Sequence, residues 1–272
     1  MDNQKSLSQL SGALQDAAER RIQSERIVGV VVAIGAMLLE AGAEVYRVEE
    51  TMNRLGKAVP GVDDCISYVT VTGIMCSIIS KGETVTRIAR VSSGSRNIAV
   101  INAINSLSRQ TERKHYGAAF LETELERIRN LPSYSLWQKT FFAAVGAAGF
   151  AVFFNGNICD ISGSFLIGLI VQLVSNWLGS LSLNMFITNA LAAFATAVLS
   201  VLYQRPVPMS TPNVVIISVL MLLVPGLAIT NALRDTMMGE YLSGVARTTE
   251  AMLIAVSIAV GVGLGLYAVS FI

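Results

Sequence analysis

Charge is scarce in this sequence. Asp, Glu, Lys and Arg make up 14% of its 272 residues, against roughly 25% in soluble domains. The charge present nearly cancels, 20 basic against 19 acidic residues for a formal net charge of +1. Without a basic surplus the chain is not built to hold nucleic acid. Cysteine is scarcer still, with three residues, no CxxC pair and His115 as the one histidine. Such a set cannot build a structural zinc site, and so small an odd count does not make a secreted disulfide scaffold. No metal and no cofactor are expected. The residues before the first apolar run at Ile27 are largely polar, so no secretory signal peptide is recognised. Apolar residues, by contrast, reach 53%, which excludes a disordered chain.

The charges are unevenly placed. Residues 1–139 carry 17 of the basic and 15 of the acidic residues, whereas 140–272 hold only Arg205, Arg234, Arg247, Asp160, Asp235, Glu240 and Glu250. A water-facing surface cannot be covered with so few charges, so the second half reads as membrane-embedded. The division falls near Leu131-Pro132-Ser133, giving an expected cytoplasmic α/β domain over 1–137 and a transmembrane helical domain over 138–272. Five spans are expected, at about 138–155, 161–179, 181–203, 213–233 and 249–271, each near the ~20 residues that cross a bilayer. Lys139 would snorkel from the first, and Trp137, Trp177, Tyr203 and Tyr267 lie near span ends, where aromatic belts form. Gly179-Ser180 alone separates the second span from the third, which predicts a tight hairpin. The positive-inside rule keeps the N-terminal half and the 234–248 loop, with its Arg234 and Arg247, in the cytoplasm. The 155–161 and 204–212 loops then lie outside. Ile27–Leu39 is apolar but only 13 residues long. It is read as a helix buried in the first domain, the alternative being a sixth span.

Within the first half, Ala41, Val45, Val48, Met52, Leu55 and Val59 recur at alternating steps of four and three, the stripe of an amphipathic helix that Pro60-Gly61 ends. Glu40, Glu44, Arg47, Glu50 and Arg54 occupy its remaining surface. Residues 65–72, 74–79 and 84–91 are rich in β-branched residues, and Lys81-Gly82 marks a turn. They predict a small antiparallel sheet. Helical patterning returns over 97–113 and 117–130. The expected fold is therefore a small-sheet α/β domain followed by an all-α membrane domain.

Motifs for chemistry are few. The Ser92-Ser93-Gly94-Ser95-Arg96 turn precedes a helix but lacks the Walker spacing, and reads as a capping turn. Gly261, Gly263 and Gly265 sit in a lipid-length run where, with Ala255 and Ala259, small residues allow helices to approach closely. Ser67, Ser77, Ser92 and Cys65 are conceivable nucleophiles of a membrane-anchored hydrolase. No G-x-S-x-G elbow surrounds them, and His115 reads as a solvated surface residue. The more informative residues lie in the membrane half. Pro225-Gly226 interrupts the fourth span, and broken helices of this kind hold polar cargo in transporters. Thr230 and Asn231 follow within reach of it, and Asp235, Arg247 and Glu250 lie at the cytoplasmic mouth. Gln172, Asn176, Asn184 and Asn189 add amides, read as interhelical glue.

Gly42-Ala43-Glu44-Val45-Tyr46-Arg47-Val48-Glu49-Glu50-Thr51-Met52 resembles the N-terminal motif of the threonine/serine exporter family. The likeness continues through Val69–Ile74 and Gly82–Arg87, and resumes at Leu223-Val224-Pro225-Gly226 with Asn231, Asp235, Gly239, Gly244 and Arg247. Fused members of that family carry a further set of spans. This sequence is similar to the longer subunit of the split form, which works with a smaller membrane protein. The resemblance implies export of a small carboxylate-bearing metabolite, either threonine and serine or a dicarboxylate such as succinate, by a bacterial inner-membrane hetero-oligomer. No enzyme activity is expected. On this reading Arg247 attracts the carboxylate, and Pro225, Gly226, Thr230 and Asn231 bind the substrate deeper in. Asp235 or Glu250 carries a coupling proton, and Glu44, Arg47 and Glu50 form a gating or regulatory surface, unless they are simply a solvated helix face.

Overall fold

The computed structural model describes residues 2–92, 96–132, 134–181 and 183–271, with side chains at Gln15 and from residue 17 onward within those ranges. It comprises two units, Met1–Pro132 with Asn231–Ala246, and Ser133–Thr230 with Arg247–Ile272.

In the first unit α1 (Asp2–Glu40) leads into α2 (Val45–Ala58), a sheet of β1 (Asp64–Thr70), β2 (Gly73–Ser80) and β3 (Glu83–Arg90), then α3 (Ile98–Lys114) and α4 (Ala118–Arg129). The sheet is antiparallel in the order β1-β2-β3. Lys81 and Gly82 both take positive φ, 49° and 82°, the two-residue turn that matches the twist of a hairpin. One sheet face carries Cys65, Val69, Ile74, Cys76 and Ile78 into a core shared with Val45, Val48, Met52 and Leu55 of α2 and with Ile104, Leu121 and Ile128 of α3 and α4. The 27–39 run lies in the middle of this core, where Val28, Val31, Ile34 and Leu38 are fully buried. The Ala17–Glu40 segment is also long and apolar enough to cross a membrane, yet most apolar side chains of 27–39 are buried within protein, although Ile22 is exposed. Helix α2 starts later than the apolar stripe suggests, because Gly42, at φ +87°, turns the chain between α1 and Val45. Residues 93–95 of the serine-rich turn lie outside the described residues. Beyond them, Asn97 caps α3 by accepting from Val100 N at 3.3 Å. His115 is exposed, but as the left-handed cap of α3 its Nδ1 lies 3.1 Å from Ala58 O.

The second unit contains α5 (Leu136–Phe153), α6 (Ile158–Ser180), α7 (Met185–Gln204), α8 (Pro212–Leu220) and most of α10 (Tyr241–Val269). Helices α5, α6, α7 and α10 are long and apolar enough to span a bilayer and coincide with four of the five expected spans. The fifth, 213–233, is not one helix. It divides into α8, 9 residues long, and α9 (Gly226–Met237), 12 residues long. Pro225 has no N–H to continue the ladder and disfavours helix at the residue before it. Alone, α8 reaches only about 14 Å against ~30 Å of hydrocarbon. The fifth helix meeting the length and composition of a span, among the described residues, is Ala17–Glu40. The hairpin turn also falls later than Gly179-Ser180, since α6 continues through Ser180 and Asn184 caps α7 by accepting from Phe186 N.

The surface of this unit is apolar like its interior, unlike that of a soluble domain. Leu253, Val256 and Leu264 of α10 are exposed while Ser257 is wholly buried. Thr140, Thr196, Ser200 and Ser218 are shielded too, and their hydroxyls donate to the carbonyl four residues back at 2.6–2.9 Å. An apolar solvent imposes this pattern, since no water is there to satisfy them. A Cβ at Gly261 would strike Ala190 O, and one at Gly265 would lie 2.8 Å from Phe194 O. These two glycines therefore let α10 lie against α7 as expected, whereas Gly263 faces open space.

Candidate functional site

The first unit brings two distant segments together at the turn between α1 and α2. Asn231, Arg234 and Asp235 are spaced i, i+3, i+4 and share one face of α9. Asn231 Nδ2 donates to Gly42 O at 3.1 Å. Val45 N donates to Asp235 Oδ1, also at 3.1 Å. Arg234 pairs with Glu44, whose other oxygen lies 3.7 Å from Arg47 Nη1. Glu44 is the N-cap residue of α2 but makes no side-chain cap bond, so Asp235 supplies the capping carboxylate from 190 positions away. An anion there satisfies one orphan N–H and meets the positive end of the helix dipole. The site is shielded, with Asp235 at 0%, Glu44 at 8% and Asn231 at 9% exposure.

The sequence therefore misplaces part of this surface in solvent. Of the α2 charges, Glu50 is exposed and pairs with Arg54, while Glu44 is buried and ion-paired. Arg234 was not expected to matter, although its spacing from Asn231 and Asp235 already puts it on their face. Glu49 was also missed, though it lies one turn beyond Val45 on the flank of the apolar stripe. Burial pushes its carboxyl above the ordinary carboxylate range, the Val69 N–H at 2.7 Å opposes that shift, and the Glu240 charge adds to it. Three of the four conceivable nucleophiles are otherwise engaged, and the fourth, Ser92, is exposed. Ser67 Oγ donates to Asn53 Oδ1 at 2.9 Å, Ser77 bonds Thr86, and the hydrogen bond with Cys76 together with burial pushes the Cys65 thiol up.

The remaining candidates lie in the second unit. Pro225 is buried, while Gly226 and Thr230 are exposed, and the Thr230 hydroxyl donates to Leu227 O at 3.1 Å. The break at Pro225 opens on a cavity of about 470 Å³ walled by Leu220, Val224, Ile229, Ala255, Ala259, Ile258, Val262 and Gly263, all without polar side chains. On α10, Arg247 is half-buried and Glu250 exposed. Asp160, unassigned from sequence, is 2% exposed and accepts from Asn157 N, Ser210 Oγ and Thr211 N, tying together the loops before α6 and after α7. Gln172 Nε2 donates to Asn176 Oδ1 within α6.

The family model described as "Putative threonine/serine exporter" matches residues 29–269, which takes in both segments of the latch and the whole of α5 to α8. The chain belongs to the threonine/serine exporter family. Among curated exporter-family relatives, it is 26% identical to the "Probable succinate transporter subunit YjjP" of Klebsiella aerogenes, over 91% of this chain and 94% of that one. The Escherichia coli K12 protein of the same name is 26% identical over 90% of this chain and 95% of its own length. A "Probable threonine/serine exporter" of Mycobacterium tuberculosis is 22% identical over 97% of this chain but 49% of its own length, so this chain spans about half of that exporter. No solved structure matches. Family and apolar helices together make this a multi-pass membrane protein of a transporter family.

Proposed function

We propose that the chain is one subunit of a secondary exporter that moves a small carboxylate-bearing metabolite, threonine and serine or a dicarboxylate such as succinate, out of the cytoplasm. The observation that carries this reading is the buried latch. Residues of the family-like N-terminal segment, Gly42, Glu44 and Val45, are held by residues of the family-like C-terminal segment, Asn231, Arg234 and Asp235. The N-terminal unit lies in the cytoplasm of a bacterial inner membrane, and a smaller membrane subunit completes the pathway, in keeping with the word "subunit" in the names of two relatives.

Arg247 draws the substrate carboxylate to the inner mouth, and Thr230, Asn231 and the backbone around Pro225 and Gly226 take it onward. The cavity beside Pro225 is apolar, so the polar contacts there come from backbone groups freed by the break. Asp235 or Glu250 binds the coupling proton. Protonating Asp235 would weaken its acceptance from Val45 N and release α2, and Glu44 and Arg47 would then act as the gate. Replacing Arg247 by Ala should abolish export from proteoliposomes while leaving assembly with the second subunit unchanged. Full export by this variant would remove Arg247 from the pathway.

A further inference from the structure

The inward-facing row of the sheet includes one charged residue, Arg87, and it is exposed. Register aligns Val85 with Ile78, Arg87 with Cys76 and Ala89 with Ile74, and cross-strand partners share a face. Val85 and Ala89 pack on the core and Cys76 is wholly buried, so Arg87 stands in an apolar row on the edge strand. Helix α1 makes room for it. A Cβ at Gly29 would lie 2.8 Å from Arg87 Nη1, so the end of this flexible side chain lies over Gly29 and would have to shift if a methyl group stood there. Beside it is a cavity of about 390 Å³ formed by Glu25, Arg26, Gly29, Val30 and Ala33 of α1, Arg87 of β3, and Glu122, Leu125 and Glu126 of α4.

Its charges suit one ligand chemistry. Arg26 is held by Glu122 through two bonds of 2.7 and 2.5 Å. Glu25 and Glu126 make surface pairs with Arg21 and Arg129, and such pairs exchange readily for a better partner. Among the described residues Arg87 makes no ion pair. The cavity thus offers Arg87, a cation with no ion pair among the described residues, carboxylates on two helices, and an apolar floor of Val30, Ala33 and Leu125. With two guanidinium groups against three carboxylates, it repels a dianion and suits a ligand bearing one charge of each sign. The volume lies at the small end of the ~300–1,000 Å³ typical of ligand pockets.

We propose that this cavity binds a small α-amino acid as its zwitterion. Its carboxylate sits on Arg87, its ammonium group on the glutamates of α1 and α4, and its side chain on the apolar floor. The site lies within the first unit, in residues separate from the export candidates, and makes that unit a sensor of amino acid concentration.

The test is calorimetric titration of the purified full-length chain in detergent with L-threonine, L-serine, N-acetyl-threonine, threonine amide and succinate. L-Threonine or L-serine should bind, the two blocked analogues and succinate should not, and Arg87→Ala should weaken binding by about tenfold or more, the loss of a charge-assisted bond. Gly29→Ala should also weaken it by displacing the guanidinium, with circular dichroism unchanged in both variants because the displaced group is an exposed side-chain end. Amino acid binding unaffected by Arg87→Ala would overturn the proposal, as would succinate binding lost in that variant, or no binding by a folded wild-type chain. Export assayed separately would still stand or fall on Arg247.

Discussion

Substitution can separate the capping role of Asp235 from the coupling role proposed for it. As a buried acceptor for Val45 N it caps α2, and removing a cap costs about 1 kcal/mol. Asp235→Ala should therefore lower the stability of the purified chain by roughly 1–2 kcal/mol, read as a fall in Tm. Asp235→Asn, which keeps an acceptor but cannot carry a proton, should hold Tm near wild type and still lose export. Equal export by Asp235→Asn would assign the residue to the latch alone. Glu49 predicts a pH effect of the opposite kind to an ordinary salt-bridged acid. Its carboxyl is raised by burial, partly restored by Val69 N–H, and raised again by Glu240. The folded state therefore binds the proton more tightly than the unfolded one. Stability falls as pH rises from the usual glutamate value near 4.5 through the raised folded value, and below that window the penalty is absent. Glu49→Gln keeps an oxygen for Val69 N and should flatten the decline, so thermal unfolding across that window should show the variant gaining on wild type as pH rises. Parallel curves would refute the assignment. At this scale the sequence was readable wherever spacing fixed a face. Asn231 and Asp235 were recognisable as candidates, whereas the burial of Glu44 depends on Arg234, 190 positions away, and no local pattern reports that.

Elements were readable where a period and a stop signal agree. The three strands appear close to their expected limits because alternation, β-branched content and the Lys81-Gly82 turn all point to one register. The 213–233 segment reads as one span interrupted at Pro225-Gly226, and the helix does break there, because proline lacks the N–H that would continue the ladder. Two short helices result. If that interruption is functional, Pro225→Ala should let α8 and α9 join, stabilising the chain by up to ~3 kcal/mol while lowering export at least tenfold. Export that survives at the wild-type level would make the break a structural detail. The 27–39 run tests the reverse ambiguity, since composition cannot distinguish a buried helix from a span. The enclosure of Ile34 at 0% exposure predicts that Ile34→Ala costs 2–5 kcal/mol, the ordinary cost of a core cavity. A lipid-facing isoleucine would cost far less, and chemical denaturation in detergent separates the two.

At the scale of the whole molecule, charge partition divides the sequence at the same place where composition turns apolar. It cannot show that 231–246 returns to the first unit, because that pairing is made by a few polar contacts rather than by composition. The segment closes on the turn at Gly42–Val45, so a proton or carboxylate acting there would reach the start of α2. The account requires an exporter completed by a second subunit. The decisive measurement is efflux from cells lacking native exporters, preloaded separately with labelled threonine, serine and succinate, and expressing this chain with or without the proposed smaller membrane subunit. The account predicts efflux of one of these cargoes, only when both proteins are present. No efflux of any of them, with both proteins verified in the membrane, would contradict it.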